Sequence, residues 1–165
     1  MALIAGPHHL FDTAPKRVAP GLYQGAMGWD ETVEAAQSGV FDVVVLCAHD
    51  VSMPTLPPGV LGVYLPLMDA PEMPAAAWPS IWRTVRLVRD AVVGGRQRVL
   101  IACAMGLNRS SLIMGLVLRS MRVGGNEAVQ MIKDARGPSA LSNLYFRRLI
   151  ERSSVRPRPR RANPA

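Results

Sequence analysis

The sequence predicts an α/β fold in which helices flank a central, mostly parallel sheet. Short apolar segments, rich in β-branched residues, alternate with longer segments whose apolar residues recur at helical spacing. The 165 residues are the usual size of one domain, and 49% of them are hydrophobic, which is enough to build a core. No apolar run reaches the roughly 18 residues that a membrane span needs.

The first half of the chain predicts three strands and one helix. Residues 17–24 form a short strand that Pro and Gly interrupt, and residues 29–40 form a helix that Asp30 caps. Residues 41–47 are β-branched and almost continuously apolar, which is typical of a strand covered on both faces. Residues 59–67 are a further candidate strand. The loop after it is rich in proline, which prevents regular structure there.

The second half predicts four helices around one buried strand. Residues 76–93 carry apolar side chains at helical spacing and end at two glycines. Residues 98–102 are a short apolar strand, and residues 110–123 are apolar nearly all round, as in a central buried helix. Further helices are expected over residues 126–135 and 141–152.

The net charge of +7 is concentrated at the C-terminal end of the chain. Residues 147–165 contain seven arginines and one acid, Glu151, so the rest of the chain is nearly neutral. Residues 153–165 are rich in proline and arginine, which is typical of a disordered tail. We predict one folded domain over residues 1–152 and a solvated basic tail after it. Contact of the tail with nucleic acid or an acidic partner is the less favoured alternative.

The chain contains two cysteines, too few for a disulfide scaffold or a four-ligand zinc site. The N-terminal residues lack the basic region and the long apolar region of a signal peptide. We therefore expect a cytoplasmic location. Composition and cysteine count argue against a secreted miniprotein, a zinc finger and a membrane protein.

The loop between the predicted strand 98–102 and the buried helix has the composition of an anion site. It has the sequence CAMGLNRS, and it lies at the carboxyl end of a strand and opens directly into a helix. Backbone amides and the helix dipole favour an anion there, Gly106 permits a tight turn, and Arg109 matches two phosphate oxygens. The same field favours the thiolate form of Cys103, a nucleophile at the base of the site. The predicted phosphate-binding residues are Ala104, Met105, Gly106, Leu107, Asn108 and Arg109.

A thiolate that attacks phosphorus needs an acid to protonate the leaving oxygen. Asp69 is the best candidate, because it follows a predicted strand and lies in a proline-rich loop that is able to place a carboxyl group over the site. Glu72, three residues further on, is the reserve. Ser110, next to Arg109, is expected to stabilise the thiolate as it leaves, to cap the helix, or to do both.

Five segments of this chain resemble the dual-specificity phosphatases of the cysteine-dependent protein tyrosine phosphatase superfamily. They are VAPGLYQGAM, FDVVVLC, VYLPLMDAP, VLIACAMGLNRSS and ARGPSALSNLYF, and together they span about residues 17–150. The resemblance implies a protein tyrosine phosphatase-like fold, with a catalytic domain over residues 1–152. It also implies that phosphate on protein Tyr, Ser or Thr is hydrolysed without metal or organic cofactor.

The resemblance assigns roles to the residues of the site. Cys103 would form a phosphocysteine intermediate, and Arg109 with the loop amides would bind phosphate or another oxyanion. Asp69 would act first as acid and then as the base that activates water, while Ser110 would assist release of the thiolate. The family usually has His before the nucleophile, and this chain has Ala102. We therefore expect a slower or alkaline-shifted enzyme.

Three alternatives stay open on the sequence. The first is a phosphatase of RNA 5′-phosphates, nucleotides or lipids, since these substrates are handled by the same fold. The absence of Lys between Cys103 and Arg109 argues mildly against polyphosphorylated inositol lipids. The second is a weakly active phosphate-binding module, and the third is a nucleic-acid-binding protein that uses the basic tail.

Cys47, the only other cysteine, ends the predicted strand 41–47. We expect this strand to lie beside strand 98–102, which would bring Cys47 close to Cys103 at one edge of the sheet. Some relatives have a cysteine in a similar Leu-Cys-Ala segment that forms a reversible disulfide with the nucleophile. The resemblance therefore makes Cys47 a candidate redox partner of Cys103. A small buried hydrophobe is an equally good interpretation.

Overall fold

The computed structural model describes residues 13–153, which form a five-stranded sheet with helices on both faces. The strands are β1 (Lys16–Ala19), β2 (Leu22–Ala26), β3 (Val43–Leu46), β4 (Leu61–Tyr64) and β5 (Val99–Cys103). The helices are α1 (Asp30–Gln37), α2 (Trp78–Val93), α3 (Arg109–Ser120), α4 (Gly125–Arg136) and α5 (Leu144–Arg152), and a short 3₁₀ turn (Ala75–Ala77) precedes α2. All but the first residue of the predicted basic tail lies outside the described residues.

The order of the strands in the sheet is β1-β2-β5-β3-β4. Among the described strands only β1, at one edge, runs antiparallel to its neighbour, and the other four are parallel. The predicted α/β fold with a mostly parallel sheet is confirmed. Strand β5 lies in the middle of the sheet, so the loop after it opens at the centre of the carboxyl edge. An α/β sheet binds ligands at this edge, beside the N-terminus of a helix.

Helix α3 is the centre of the helical layer. Its residues from Arg109 to Leu118 are all buried, because the helix packs against β2 and β5 and against α2, α4 and α5. Gly115 lets α5 approach closely, since a Cβ at this position would overlap the side chain of Ile150. This packing fixes the N-terminal end of α3, where the loop from β5 arrives. Among the helices described between residues 13 and 153, none combines the length and the apolar composition of a membrane span.

The two faces of the sheet are distinguished by the side chains of β2 and β5. Gln24 of β2 reaches helix α3 with its side chain. The next residue, Gly25, lies opposite Ala102 of β5 and faces α1, since a Cβ on Gly25 would meet Thr32. Because side chains alternate along a strand, Ala102 faces α1, whereas Cys103 faces α3.

Three of the differences between the predicted and the observed elements have a clear physical cause. The predicted strand 17–24 is an antiparallel hairpin of β1 and β2, because Gly21, at a φ of 75°, reverses the chain between them. No side chain caps α1, so the predicted capping by Asp30 is wrong; Asp30 is instead the first residue of the helix. Helix α5 begins at Leu144, later than predicted, because Leu141 adopts a φ of 59° that no helix contains.

Candidate active site

The loop from Cys103 to Arg109 turns its carbonyl groups away from its own interior. Four of these carbonyls accept backbone hydrogen bonds from outside the loop: Cys103 from Met27 (2.7 Å), Ala104 from Gly28 (3.0 Å), Leu107 from Leu141 (2.9 Å) and Asn108 from Leu112 (2.9 Å). A trans peptide group that points its C=O outward points its N–H in the opposite direction. The amides of the loop therefore face its centre, which is the arrangement that binds anions.

Gly106 is the most constrained point of the loop. Its φ of 66° lies in the left-handed region that favours glycine, and a Cβ there would lie 2.7 Å from the carbonyl oxygen of Gly25. The carbonyl oxygen of Gly106 accepts hydrogen bonds from Nε2 of Gln24 (3.0 Å) and from Nε of Arg136 (3.1 Å). Both donors belong to buried side chains, so the loop is supported from inside the protein.

Cys103 lies at the bottom of the loop with 2% of its surface exposed. Its Sγ is 3.2 Å from Oγ of Ser110, the second residue of α3. From this position the hydroxyl is able to donate a hydrogen bond to a thiolate. The expected capping of the helix by Ser110 is wrong, because α3 begins at Arg109 and no side chain makes a capping bond to it.

Arg109 is buried, and its guanidinium is held by Asp50 and by the strand-to-loop junction after β4. Nη1 donates to Oδ1 of Asp50 (2.5 Å) and to the carbonyl oxygen of Leu67 (3.3 Å), and Nη2 donates to Oδ2 of Asp50 (3.4 Å). A guanidinium has five N–H groups. Within residues 13–153 the Nε–H and the second Nη2–H make no further hydrogen bond. These two lie along one edge of the guanidinium and suit two oxygens of a phosphate.

The pairing of Arg109 with Asp50 fixes the charges of both groups. The hydrogen bond from Arg109 lowers the pKa of the Asp50 carboxyl, an effect that outweighs the partial burial of the carboxyl. Burial lowers the pKa of the Arg109 guanidinium, but the hydrogen bond to Asp50 and the negative charges of Cys103, Asp50 and Asp69 together raise it by more. A cation therefore stays next to the cysteine at neutral pH, where it favours a thiolate.

Asp69 lies on the exposed side of the loop, between two asparagine side chains. Nδ2 of Asn108 donates to Oδ2 of Asp69 (2.8 Å), and Nδ2 of Asn143 donates to Oδ1 (2.8 Å). Asn143 also donates to the carbonyl oxygen of Ala70, and its Oδ1 caps the first turn of α5. Glu72, the reserve acid, is exposed and makes no hydrogen bond within residues 13–153. The structure thus places Asp69, and not Glu72, beside the loop.

No family model and no curated protein sequence matches the chain, whereas solved structures do. Human DUSP28 superimposes with a TM-score of 0.68 at 25% sequence identity, over 85% of this chain and 92% of that chain. A mouse putative dual specificity phosphatase, complexed with zinc tungstate, gives a TM-score of 0.70 at 25% identity, over 92% of this chain and 89% of that chain. The human tyrosine phosphatase-like serine/threonine/tyrosine-interacting protein has 14% sequence identity. It gives a TM-score of 0.67 over 85% of this chain and 95% of that chain.

The chain has the fold of the dual-specificity phosphatases of the protein tyrosine phosphatase superfamily. The resemblance found in the sequence is confirmed. The dual-specificity phosphatase fold places the loop after β5 and the segments after β3 and β4 at one edge of the sheet. A fold of this kind serves more than one function, so the activity has to be argued from the site itself.

Cys47 follows β3 and lies at the same sheet edge as Cys103 in this dual-specificity phosphatase fold. Its backbone N–H donates to the carbonyl oxygen of Ala102 (2.7 Å), which continues the pairing of β3 with β5. Both cysteines are free thiols, and Cys47 is fully buried. Burial, and after it the charge of Cys103, raises the pKa of the Cys47 thiol well above its ordinary value, although Arg109 opposes the shift. Cys47 is therefore a protonated thiol at neutral pH.

The site residues that were not predicted from the sequence include Gln24, Asp50 and Asn143. They contact Ser111, Arg109 and Asp69 from 87, 59 and 74 residues away along the chain. Two signals were nevertheless present. Asp50 closely follows a predicted parallel strand, as Asp69 does, and side chains at such positions meet at one edge of the sheet. Asn143 directly precedes an amphipathic helix, where an N-cap is expected.

Proposed function

We propose that this chain hydrolyses phosphomonoesters on protein Tyr, Ser or Thr through a phosphocysteine at Cys103. The observation that carries the proposal is the convergence of three groups on one loop. These are the Sγ of Cys103, the Nε–Nη2 edge of Arg109 and the carboxyl group of Asp69. They supply a nucleophile, a cation for the phosphate and a proton donor. Tungstate in the mouse neighbour supports the proposal, because it is an oxyanion as phosphate is.

In the first step, the phosphate oxygens bind to the loop amides and to Nε and Nη2 of Arg109. The thiolate of Cys103 attacks phosphorus, the bond from phosphorus to the substrate oxygen breaks, and that oxygen takes a proton from Asp69. A protonated carboxyl group has one oxygen that carries the hydrogen. That oxygen still has a lone pair for an asparagine N–H but accepts more weakly, so the two asparagine hydrogen bonds orient the acid form of Asp69 as well as the carboxylate.

In the second step, water attacks the phosphocysteine and gives a proton to Asp69. The electron pair of the P–S bond goes to Sγ, and inorganic phosphate leaves the loop. The hydroxyl of Ser110, 3.2 Å from Sγ, donates a hydrogen bond to the thiolate that forms. Asp69 and Ser110 thus stabilise the two charges that change in this step.

The surroundings of the loop favour a protein substrate over the alternatives. Met68, Met105 and Leu144 expose 59%, 40% and 58% of their surfaces, and they lie beside Asp69, within the loop and beside Asn143. Exposed apolar side chains around a site suit contact with an apolar or aromatic group. The loop itself carries one cation, Arg109, which matches a single phosphate better than the polyphosphates of nucleotides.

Hydrolysis of a substrate panel tests the proposal. We expect turnover of phosphopeptides to exceed that of phosphoinositides and of RNA with a 5′-phosphate, and to persist in EDTA. Cys103→Ser should abolish turnover and still bind vanadate. Full activity of Cys103→Ser, or complete loss in EDTA, would overturn the mechanism. Faster turnover of RNA or lipid would show that the site acts on that class of substrate and not on phosphoproteins.

A phosphate-binding module with weak catalysis is the second candidate, and Ala102 is the observation that favours it. Ala102 stands where the family usually has His, so one support of the thiolate is missing. The same panel decides: tight vanadate binding with no turnover of any substrate by the intact chain would favour the binding module.

The proposed place of action is the cytoplasm, because a nucleophilic thiol has to stay reduced and cytoplasmic thiols do. The basic tail takes no part in the proposed chemistry. Removal of residues 153–165 should leave the hydrolysis of small phosphate esters unchanged. A loss of nucleic-acid binding on this truncation would support the nucleic-acid alternative instead.

A further inference from the structure

Gln24 is a polar side chain in the apolar layer between the sheet and α3. It is fully buried, and its Nε2 lies 3.0 Å from the carbonyl oxygen of Gly106, 3.1 Å from Oγ of Ser110 and 2.8 Å from Oγ of Ser111. Its Oε1 is buried without a hydrogen-bond partner. A buried amide oxygen without a partner disfavours folding, so an apolar side chain of the same length would suit the fold better.

The neighbours of Gln24 decide where the hydrogen atoms point. The carbonyl oxygen of Gly106 only accepts, so the amide faces it with Nε2. Ser111 donates its own hydrogen to the carbonyl oxygen of Leu107 (2.7 Å), and therefore accepts from Nε2. An amide nitrogen carries two hydrogens, so Oγ of Ser110, the third acceptor around Nε2, shares one of them in a bifurcated hydrogen bond. The hydroxyl hydrogen of Ser110 is then directed at Sγ, whereas an amide oxygen in the place of Nε2 would compete for that hydrogen.

We propose that Gln24 is a positioning residue for Cys103 and acts through Ser110. Its N–H keeps the Ser110 hydrogen directed at Sγ when the P–S bond breaks, water gives its proton to Asp69 and the electron pair goes to sulfur. The proposal rests on the proposed phosphatase function. The support that Gln24 gives is separate from position 102, where the family usually has His: position 102 faces α1, whereas Gln24 acts from the α3 face.

Gln24→Met keeps the length of the side chain and removes the donor. We expect breakdown of the phosphocysteine to slow by about tenfold, so that the intermediate accumulates, a burst appears in rapid-quench kinetics, and kcat and KM fall together. Ser110→Ala should give the same pattern. The double variant should be no slower than Ser110→Ala alone, because the effect of Gln24 on this second step passes through Ser110. Additive losses would overturn the proposal.

The unfolding temperature distinguishes a positioning role of Gln24 from a merely structural one. Gln24→Met should unfold at the same or a higher temperature, because it also removes the unpartnered Oε1. The matched control is Thr84→Val, which removes the hydrogen bond from Oγ1 to the carbonyl oxygen of Ser80 (2.9 Å) in the core near α3. It should lower stability without a burst. If Gln24→Met does not fold, Gln24→Leu removes the same donor with a smaller apolar side chain and should also slow the second step.

Alkylation of Cys103 by iodoacetamide separates failure of this proposal from failure of the proposed function. The rate of alkylation is measured as a function of pH. The midpoint of this profile should lie at a higher pH in Gln24→Met and in Ser110→Ala than in the parent chain. The measurement needs no turnover. An unchanged alkylation profile in folded Gln24→Met would overturn the role of Gln24. If the variants shift the alkylation profile but the parent chain hydrolyses no phosphate ester, the phosphatase function is overturned, whereas the effect of Gln24 on Cys103 still holds.

A second observation is independent of the first: an apolar groove of about 400 Å³ lies beside the catalytic edge. It is lined chiefly by Trp78, Trp82, Leu116, Tyr145, Arg148 and Arg152. The two tryptophan rings stack with centroids 5.9 Å apart. Tyr145 also lines the depression that contains Asp69, so the groove continues from the catalytic site.

The charges of the arginines that line the groove indicate what the groove binds. Arg148 and Arg152 are exposed and make no ion pair within residues 13–153, whereas Arg147 is paired with Glu151 (2.8 Å). The chain beyond residue 153 contains four more arginines and no acid, so its like charge disfavours it as the occupant. We infer that the groove, again resting on the proposed function, docks a substrate segment with an aromatic residue flanked by acidic residues.

Phosphotyrosine peptides that differ only in an acidic-aromatic or a basic-aromatic extension test the groove. The acidic peptide should have the lower KM by about tenfold, which is about 1.4 kcal/mol. Trp82→Ala and Arg148→Glu should remove the difference, and Arg86→Glu, an exposed control outside the groove, should keep it. All three should hydrolyse p-nitrophenyl phosphate normally.

Three outcomes would overturn the docking groove. The first is an equal KM for both extensions in the intact chain. The second is a fall in KM for every peptide on removal of residues 154–165, which would make the tail the occupant. The third is a dimer that Trp82→Ala dissociates, which would make a second copy the occupant. Absence of p-nitrophenyl phosphate hydrolysis by the intact chain would instead contradict the phosphatase function.

Discussion

The two sides of the Cys103–Arg109 loop are held by different kinds of contact. On the buried side, Gln24 and Arg136 both donate to the carbonyl oxygen of Gly106, and neither side chain is more than 7% exposed. On the exposed side, two asparagine amides hold the carboxyl group of Asp69 through hydrogen bonds that water also reaches. The buried contacts support the loop and the nucleophile, and the exposed contacts support the acid.

The difference matches what each side has to do. A buried hydrogen bond has no water to replace it, so breaking it is unfavourable and the loop keeps one shape. An exposed hydrogen bond exchanges with water at little cost, so Asp69 is able to gain and lose a proton in each turnover. Substitutions on the buried side should therefore change the thiolate and the second step. Substitutions on the exposed side should change proton transfer alone.

The largest effect is expected on the exposed side, at Asp69. Asp69→Asn removes the proton donor and should lower the rate with phenyl phosphate by about 10²–10⁴-fold. The loss should shrink for substrates with very acidic leaving groups, which need little protonation. Steady-state rates over a series of aryl phosphates measure both effects. Glu72→Gln is the matched control and should be unchanged; if it gives this pattern and Asp69→Asn does not, the acid has to be reassigned.

Asn143 allows the exposed side to be loosened without removing the acid. Asn143→Ser retains a helix-capping oxygen for α5 and removes the amide that donates to Asp69 and Ala70. We expect the rate with phenyl phosphate to fall by about tenfold, as the loss of one positioning hydrogen bond predicts. Alkylation of Cys103 should follow the same pH profile as in the parent chain. A shift of that profile would show that the two sides of the loop are coupled.

The sequence predicted the place of the loop between a strand and a helix, but it missed most of the contacts around the loop, for a physical reason. Cys103, Gly106 and Arg109 are close in sequence, and the strand before them and the helix after them have clear apolar patterns. Gln24 and Asp50 reach the loop only because β2 and β3 flank β5, and strand order is not written in any local pattern. For the same reason the hairpin at Gly21 was predicted as one strand, since pairing direction depends on the partner.

Oxidation of the Cys47→Ser variant and of the parent chain tests the buried side of the loop. The β3–β5 pairing puts Cys47 one residue beyond Leu46, which pairs with Ala102, so its backbone lies beside Cys103 at the usual spacing of neighbouring strands. After peroxide and then dithiothreitol, the parent chain should recover more activity than Cys47→Ser. Because burial raises the pKa of the Cys47 thiol, this protection should increase from pH 7 to pH 8.5. Equal recovery of both proteins at both pH values would leave Cys47 as a packing residue.

The smallest effect is expected at Asp50. Its half-exposed carboxyl group binds the buried guanidinium of Arg109, so Asp50 connects the exposed side of the loop with the buried side. The hydrogen bond from Arg109 lowers the pKa of Asp50 from its ordinary value of 3.8. A carboxyl group of this kind stabilises the fold above its unfolded pKa, and the stabilisation is lost as the pH falls through its folded pKa. Asp50 is about half exposed, so Asp50→Asn should lower Tm at pH 7 by at most about 2–4 °C. The difference between the two proteins should shrink as the pH falls below 3.8 and disappear once the pH is below the lowered pKa of Asp50. A difference that persists there would mean that Asp50 acts through its shape and not its charge, and Arg109 would then be held mainly by the carbonyl oxygen of Leu67.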